Sequence, residues 1–254
     1  VVRPFRERIA DYRDNPWHVV QWTSATPRGG LRCELVVLDT EKQIEAAGLL
    51  TGKVVLTRLN IRGLLARLAH KGAVAVITDI PVSNNPSALV WTKFGWGAVP
   101  MDHTTAKLVG LGISSRQGDR LRRQTKRHGN LALHIRVDAH SYVGHHDVVS
   151  GLIPGRDDPQ DEVWAIAHSA EPGAVDNASG CALTVEIANI LGQLIAGGDL
   201  PRPRRTIRLV NGYECYGFFA YLEQERRLQT PMAGVNIDTV GSRPWVCGGR
   251  LEWH

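Results

Sequence analysis

Short apolar runs separated by polar turns fill the first half of the chain and predict small strands and helices. Strands are predicted at residues 35–38, 53–59, 73–78 and 131–143, and helices at residues 5–12, 61–70 and 104–111. The last strand alternates most clearly, with Leu131, Leu133 and Ile135 on one face and polar residues on the other. We therefore expect residues 31–143 to form a module of their own, preceded by a lead-in segment at residues 1–30.

The second half of the chain carries longer apolar runs. Residues 163–167 are apolar on both faces, which is typical of a strand in the middle of an α/β sheet. Apolar residues at a three-to-four-residue spacing predict a helix at residues 177–196, ended by two glycines. Further strands are predicted at residues 147–154, 206–210 and 234–241, and a further helix at residues 218–228. This alternation predicts an α/β fold for residues 144–254.

Side chains that can bind a metal stand where these strands end. His168 closes the first strand, Asp176 precedes the first helix, Glu214 and Cys215 follow the second strand, and Asp238 lies on the third. In α/β sheets, ligands bind beyond the carboxyl ends of the strands. Imidazole, carboxylate and thiolate groups are ligands for zinc or a similar divalent ion. The pattern therefore predicts a metal site at this edge of the sheet.

Three motifs in this region resemble those of a family of zinc exopeptidases. They are Gly-Ala-Val-Asp-Asn-Ala-Ser-Gly at residues 173–180, a Glu-containing turn with Gly three residues on at residues 214–217, and Asn-Ile-Asp-Thr-Val-Gly at residues 236–241. In this order they are similar to peptidase family M28, which includes bacterial leucyl aminopeptidase, aminopeptidase Y and the glutamate carboxypeptidases. The resemblance implies a three-layer α/β fold with a mixed sheet. Residues 144–254 would then be the N-terminal part of the catalytic domain, and residues 1–30 its lead-in segment.

The resemblance also implies roles for the strand-end residues. His168 and Asp238 would bind one zinc ion, and Asp176 would bridge it to a second. Glu214 would be the general base, and Cys215 would stand where the family has a glutamate ligand of the second ion. Two zinc ions are expected from the family, and a single ion is the alternative. The thiol of Cys215 is either a ligand or an inert buried group.

Other positions depart from the family. Ala170 stands where many members have an aspartate that orients the first histidine, and Glu171 or a backbone carbonyl would have to replace it. The last histidine ligand of the family has no counterpart, since His254 follows Asp238 too closely. The second ion site is therefore incomplete, and the fold is expected to be incomplete at its C-terminal end. Either a second chain or segment completes it, or the protein is a reduced form; a homo-oligomer is also allowed.

A second resemblance concerns the first half of the chain. Residues 50–56, 69–77 and 98–102 are similar, in that order, to segments of the protease-associated domain, a small β-rich module inserted in several zinc exopeptidases. The resemblance implies that residues 31–143 form this inserted domain and carry no catalytic residue.

Composition and charge exclude few classes of protein, but they limit the kinds of partner that we expect. The chain has 254 residues, 43% of them hydrophobic and 22% charged, which describes a globular chain with room for a core. The net charge of +5 arises mainly at residues 120–128, and no aromatic residues are interleaved there for base stacking. We expect a solvated helix face or loop and no nucleic-acid partner. No apolar run has the length of a membrane span or signal peptide, so no membrane partner is expected. Location stays open between cytoplasmic and secreted after removal of a signal.

These observations predict a metal-dependent exopeptidase, in first place an aminopeptidase, that acts on peptides. A single-zinc amidohydrolase or cyclase is a variant within the same class of enzyme. The alternative is a catalytically silent member that binds a peptide or partner, which Ala170 and Cys215 favour. A nucleic-acid-binding protein that uses residues 120–128 is the weakest hypothesis.

Overall fold

The computed structural model describes residues 2–3, 7–82, 84–95, 107–140, 142, 144–224, 229–243 and 245. Backbone contacts divide the chain into two compact units, residues 1–142 and 143–254. Each unit is built on its own mixed sheet. The predicted α/β class is therefore confirmed.

The first unit contains a six-stranded sheet in the order β1-β6-β2-β3-β4-β5. Its strands are β1 (Val2–Arg3), β2 (Leu31–Val37), β3 (Lys53–Thr57), β4 (Ala75–Thr78), β5 (Val109–Gly112) and β6 (Ala132–Ile135). Its helices are α1 (Glu41–Ala46), α2 (Leu65–His70) and α3 (Ser115–His128), with a 3₁₀ helix at Pro16–His18. Strands β2 to β5 pair in parallel, and β6 pairs antiparallel with β1 and β2.

The central strands of this sheet are buried on both faces. Val54 and Leu56 of β3 join one apolar core, and Val55 between them joins the other. Helices α1 and α3 begin at side-chain caps: Thr40 and Ser114 each accept a hydrogen bond from the backbone N–H of a glutamine three residues on and so form capping boxes. These local signals explain why α1 and α3 begin where they do.

The basic run lies on α3 and is engaged within the first unit. Arg122 is 12% exposed and binds Asp39 and the fully buried Asp79, at 2.5 Å in each case. Arg120 pairs with Glu7. The basic run therefore lies on a helix, and the ion pairs of Arg122 stabilise the first unit.

Several predicted elements of the first unit are corrected. The helix predicted at residues 104–111 is wrong over its described part, because Val109–Gly112 is the strand β5. A short, fully buried apolar run has no period that distinguishes helix from strand. Residues 7–12 form no helix, and the helix predicted from residue 61 begins at Leu65. The last strand of the first unit was predicted at residues 131–143, and the observed strand β6 is shorter, at Ala132–Ile135.

The described part of the lead-in segment packs on the first unit. Val20 and Thr26 donate backbone hydrogen bonds to the carbonyls of Gly110 and Val137. The assignment of residues 31–143 to a protease-associated domain stays a prediction.

The second unit contains a four-stranded sheet in the order β10-β8-β9-β7. Its strands are β7 (Val149–Ile153), β8 (Asp158–Ser169), β9 (Arg205–Tyr213) and β10 (Pro231–Asn236), and its helices are α4 (Ala178–Gly197) and α5 (Tyr216–Gln224). Strands β8, β9 and β10 are parallel, and β7 is antiparallel to β9. Each parallel connection runs through a helix, as parallel strands require.

Helices α4 and α5 cover opposite faces of this sheet. The side chain of Asn211 on β9 accepts a hydrogen bond from Thr184 of α4, at 2.8 Å. Arg208, three residues earlier and so on the other face, donates to the hydroxyl of Tyr221 on α5, at 3.3 Å. The second unit is therefore layered as helix, sheet and helix.

A buried ion pair lies under α5. Arg208 donates two hydrogen bonds to the carboxylate of Glu162, at 2.6 and 2.7 Å, and both side chains are less than 8% exposed. The indole of Trp164 donates to the same carboxylate, at 2.6 Å. All of these groups project from the face opposite α4.

Helix α4 packs on the sheet along a narrow stripe and leaves apolar side chains in solvent. Gly180 and Thr184 are its buried residues, whereas Leu183, Val185 and Ile190 are 40–60% exposed. Among the described helices, α4 alone has the length and composition of a membrane span. Because α4 packs against β8 and β9, we describe it as a helix that covers one face of the sheet.

Candidate metal centre

The carboxyl ends of three parallel strands meet at one edge of the second sheet. His168 is the second-to-last residue of β8, and Glu214 directly follows β9. Asp238 was predicted to lie on the third strand. It follows the end of β10 by two residues and lies in the loop beyond it. The chain after β8 returns to this edge and places Asp176 just before α4. The structure thus brings together four of the five predicted site residues, and the fifth, Cys215, follows Glu214 in the chain.

The imidazole of His168 lies between two carboxylates. Its Nε2 atom is 3.2 Å from Oδ1 of Asp176 and 3.4 Å from Oδ2 of Asp238. A tetrahedral zinc ion with ligand bonds of about 2.0–2.2 Å separates its ligands by about 3.3–3.6 Å. The two distances from Nε2 of His168 are close to this spacing, and one ligand atom each of His168, Asp176 and Asp238 lie within 4.8 Å of one another. The three side chains can therefore hold a zinc ion.

His168 is held in place by burial and by its backbone. Its side chain is 6% exposed, and its carbonyl accepts a hydrogen bond from the thiol of Cys181 on α4, at 3.1 Å. Burial raises the pKa of the Cys181 thiol, so this thiol stays protonated and can donate. The hydrogen bond of Cys181 therefore connects β8 to α4.

The other ring nitrogen of His168 is buried and has no hydrogen-bond partner among the described residues. In the family that the sequence resembles, a carboxylate two residues on orients the imidazole, and here that position is Ala170. Neither Glu171 nor a backbone carbonyl takes over this contact with Nδ1, although the sequence analysis offered both as substitutes.

Asn177, which the sequence analysis did not select, connects the two aspartates. Its Oδ1 accepts hydrogen bonds from the backbone N–H groups of Gly180, at 3.0 Å, and Thr239, at 3.2 Å. Its Nδ2 donates to the carbonyl of Ile237, at 3.1 Å. The residue is 1% exposed and caps α4. Because it follows Asp176 in the chain and bonds on both sides of residue 238, it fixes the spacing of the two carboxylates. An asparagine three residues before a glycine at a helix start was the available signal.

Close packing at this point requires glycine at position 180. A Cβ atom there would lie 2.1 Å from the carbonyl oxygen of Ile237 and 2.4 Å from Oδ1 of Asn177. The helix start and the loop after β10 therefore approach each other as closely as their backbones allow.

Asp176 lies among other acidic groups. Burial raises the pKa of Asp176, and the carboxylates of Glu171 and Asp238 raise it further, while His168 acts in the opposite direction. A hydrogen bond with Glu171 contributes to the same increase. This electrostatic setting favours a cation.

A second group of donor atoms adjoins the first. One ligand atom each of His168, Glu171 and Glu214 lie within 4.8 Å of one another. Cys215 belongs to neither group of described residues, and its backbone is in the left-handed region, with φ of 56°. Its predicted role as a ligand stays a prediction.

Comparison with known proteins agrees with this region of the chain. Residues 139–245 match the model of peptidase family M28. The match covers the whole candidate centre and all the described strands of the second unit. Comparison with curated protein sequences finds no match.

Solved structures of peptidases share the fold. An M28 peptidase precursor from Shewanella amazonensis is 21% identical with a TM-score of 0.61, over 85% of this chain and 53% of its own. The zinc aminopeptidase BSAP from Bacillus subtilis is 19% identical with a TM-score of 0.61, over 88% and 53%. An aminopeptidase from Aneurinibacillus sp. strain AM-1 is 22% identical with a TM-score of 0.53, over 86% and 53%. The chain therefore spans about half the length of these proteins, and the likeness concerns the fold.

Proposed function

We propose that this chain carries the metal centre of a zinc-dependent exopeptidase, in first place an aminopeptidase. The observation that carries the proposal is the position of Nε2 of His168, which lies 3.2 and 3.4 Å from the carboxylates of Asp176 and Asp238. The M28 match over residues 139–245 and the zinc aminopeptidase fold of the BSAP structure support a metal-dependent peptidase. Peptides would be the substrates.

Each residue has a part in the proposed reaction. Bound zinc supplies acidity to a water molecule and polarises the scissile carbonyl group. His168, Asp176 and Asp238 would hold the ion at the strand ends. Glu214, whose carboxylate lies within 4.8 Å of a His168 ring nitrogen, takes up the proton of the attacking water and returns it to the leaving amine.

The number of ions and the role of the first unit belong to the same proposal. Two zinc ions bridged by Asp176 are the expectation from the family, and a single ion at His168, Asp176 and Asp238 is the alternative. Residues 31–143 are proposed as a protease-associated module on the resemblance of residues 50–56, 69–77 and 98–102.

The test combines hydrolysis with metal analysis. Peptides with a free amino terminus, with a blocked amino terminus and with a blocked carboxyl terminus are incubated with the protein and with Glu214→Gln, Asp176→Ala and Glu186→Gln. Glu186 is exposed on α4, so its variant is the matched control for the lost charge. We expect cleavage only where the amino terminus is free.

Each variant has its own expected result. Glu214→Gln should retain its metal and lose activity about 10²- to 10⁴-fold, since it removes the proton carrier. Asp176→Ala should lose metal and activity together. Bound metal without hydrolysis of any peptide would reject the enzyme and favour the silent binding protein. Cleavage of the peptide with a blocked amino terminus would reject the aminopeptidase.

A further inference from the structure

The loop between β8 and α4 brings one more carboxylate to the metal centre. Ala170 directly follows β8 and has φ of 70°, in the left-handed region that alanine adopts at a cost of about 1–2 kcal/mol. The chain reverses at this residue. Glu171, which follows it, has a ligand atom within 4.8 Å of a ring nitrogen of His168 and of the carboxylate of Glu214.

Glu171 faces the ligands and not the back of the imidazole. It interacts with the carboxyl group of Asp176 through a hydrogen bond, and Asp176 lies against Nε2 of His168. The opposite ring atom, Nδ1, has no hydrogen-bond partner in the part of the chain that the structure describes. The contacts of Glu171 are therefore those of a ligand and differ from those of a carboxylate that orients the histidine from behind.

Acidic side chains this close to one another require a counter-charge. Glu171, Asp176 and Glu214 each have a carboxyl group near the buried imidazole of His168. Carboxylates at such separations repel one another unless a proton or a cation lies between them. A divalent ion that binds two of them removes this repulsion and leaves the third to act on a water molecule.

We propose that Glu171 is a metal ligand that, together with the bridging Asp176, holds the second ion of the centre in place of Cys215. The proposal rests on the proposed function, because it assigns a residue to the same centre. It also accounts for the departure at position 215, where the family's glutamate is replaced and the thiol belongs to neither donor group of the described residues. The carboxylate lost from one strand end is supplied by the loop of another.

The experiment measures metal binding, not turnover. The full chain is freed of metal with a chelator and dialysed, and zinc per chain and stepwise affinities are measured by elemental analysis and calorimetry. The variants are Glu171→Gln, Glu171→Asp and Cys215→Ala, with Glu186→Gln as the control on α4. Circular dichroism and thermal unfolding of each variant show that it is folded.

We expect two ions in the wild-type chain, in Cys215→Ala and in Glu186→Gln. In Glu171→Gln the second ion should bind at least about tenfold more weakly, because loss of a direct ligand exceeds the tenfold lower limit known for outer contacts. Glu171→Asp keeps the charge but moves the oxygens, so it should also lose affinity if Glu171 is a ligand. Titration with Co²⁺ should give no sulfur-to-metal charge-transfer band.

The opposite results overturn the proposal. Retention of two ions with wild-type affinities in Glu171→Gln would show that Glu171 is not a ligand. Loss of an ion in Cys215→Ala, with a charge-transfer band in the wild type, would assign the second site to the thiol. A wild-type chain with one ion, unchanged in Glu171→Gln, would reject this inference and leave the proposed function intact. A wild-type chain that binds no ion would reject both.

Discussion

Substitution of Asn177 by alanine should loosen both the second unit and its metal site. The side chain makes three hydrogen bonds, to the backbone groups of Gly180, Ile237 and Thr239, at 3.0–3.2 Å. Each is worth about 1 kcal/mol net, and the N-terminal cap of α4 is included in that sum. The groups of Gly180 and Ile237 are buried and would be left unsatisfied, whereas Thr239 is exposed and water can replace its bond. The expected destabilisation is therefore about 2–3 kcal/mol.

Hydrogen exchange followed by mass spectrometry separates this unit from the other. Peptides that cover residues 162–169 and 178–186 should exchange about 30- to 150-fold faster, as 2–3 kcal/mol requires. Asn189→Ala is the matched control, because Asn189 is exposed on α4 and bonds within the helix to Gln193. Its peptides should exchange within about 0.5 kcal/mol of the wild type.

The same variant tests the link between stability and the site. Zinc affinity should fall in Asn177→Ala, because this residue sets the spacing of Asp176 and Asp238. If exchange accelerates while zinc affinity stays at the wild-type value, Asn177 does not set the spacing of Asp176 and Asp238. Unchanged exchange would show that the buried groups find new partners, which would refute the estimate of stability.

Three further predictions concern other parts of the chain. Arg122→Met should destabilise the first unit by about 3–5 kcal/mol, because it leaves the fully buried carboxylate of Asp79 unpaired; denaturant unfolding measures this, and the exposed Arg123→Met should change little. Gly180→Ala should abolish zinc binding or folding of the second unit, since its methyl group would lie 2.1 Å from a backbone carbonyl oxygen; a variant with normal zinc content contradicts this. In metal-free protein the raised pKa of Asp176 favours the protonated folded state, so its contribution to stability is complete below about pH 3.8 and is lost as the pH rises through the folded pKa; unfolding midpoints measured upward from pH 4 should show this slope, and Asp176→Asn should reduce it.

The elements around the site could be predicted because their apolar patterns are strong. Residues 163–167 are apolar on both faces and lie in β8, in the interior of the sheet, and the helix predicted at residues 177–196 is α4 at Ala178–Gly197. Parallel strands bring their carboxyl ends to one edge, so His168 and Asp238 could be placed together from the chain order alone. The short buried strand β5 could not be distinguished from a helix, because four residues do not define a period.

The remaining features of the site depend on contacts between distant residues. Asn177 is important through its bonds near Ile237, sixty positions along the chain, and no local pattern specifies them. The position of Glu171 depends on the left-handed backbone of Ala170. An alanine in the sequence does not predict that conformation. Cys215 could be identified as a departure from the family, but its place relative to the carboxylates required the geometry.

The pairing of β10 with β8 determines when the proposed centre can form during folding. β8 and β9 pair across a separation of 44 residues, between Glu162 and Thr206, whereas β10 pairs with β8 across 69 residues, between Glu162 and Pro231. Longer loops close at a higher entropic cost, and non-local parallel pairing is slow. Since Asp238 follows β10, the proposed set of three ligands is complete only after the longer of these two pairings has formed. Binding of zinc should therefore be a late event of folding, and its rate should report the rate at which β10 pairs with β8.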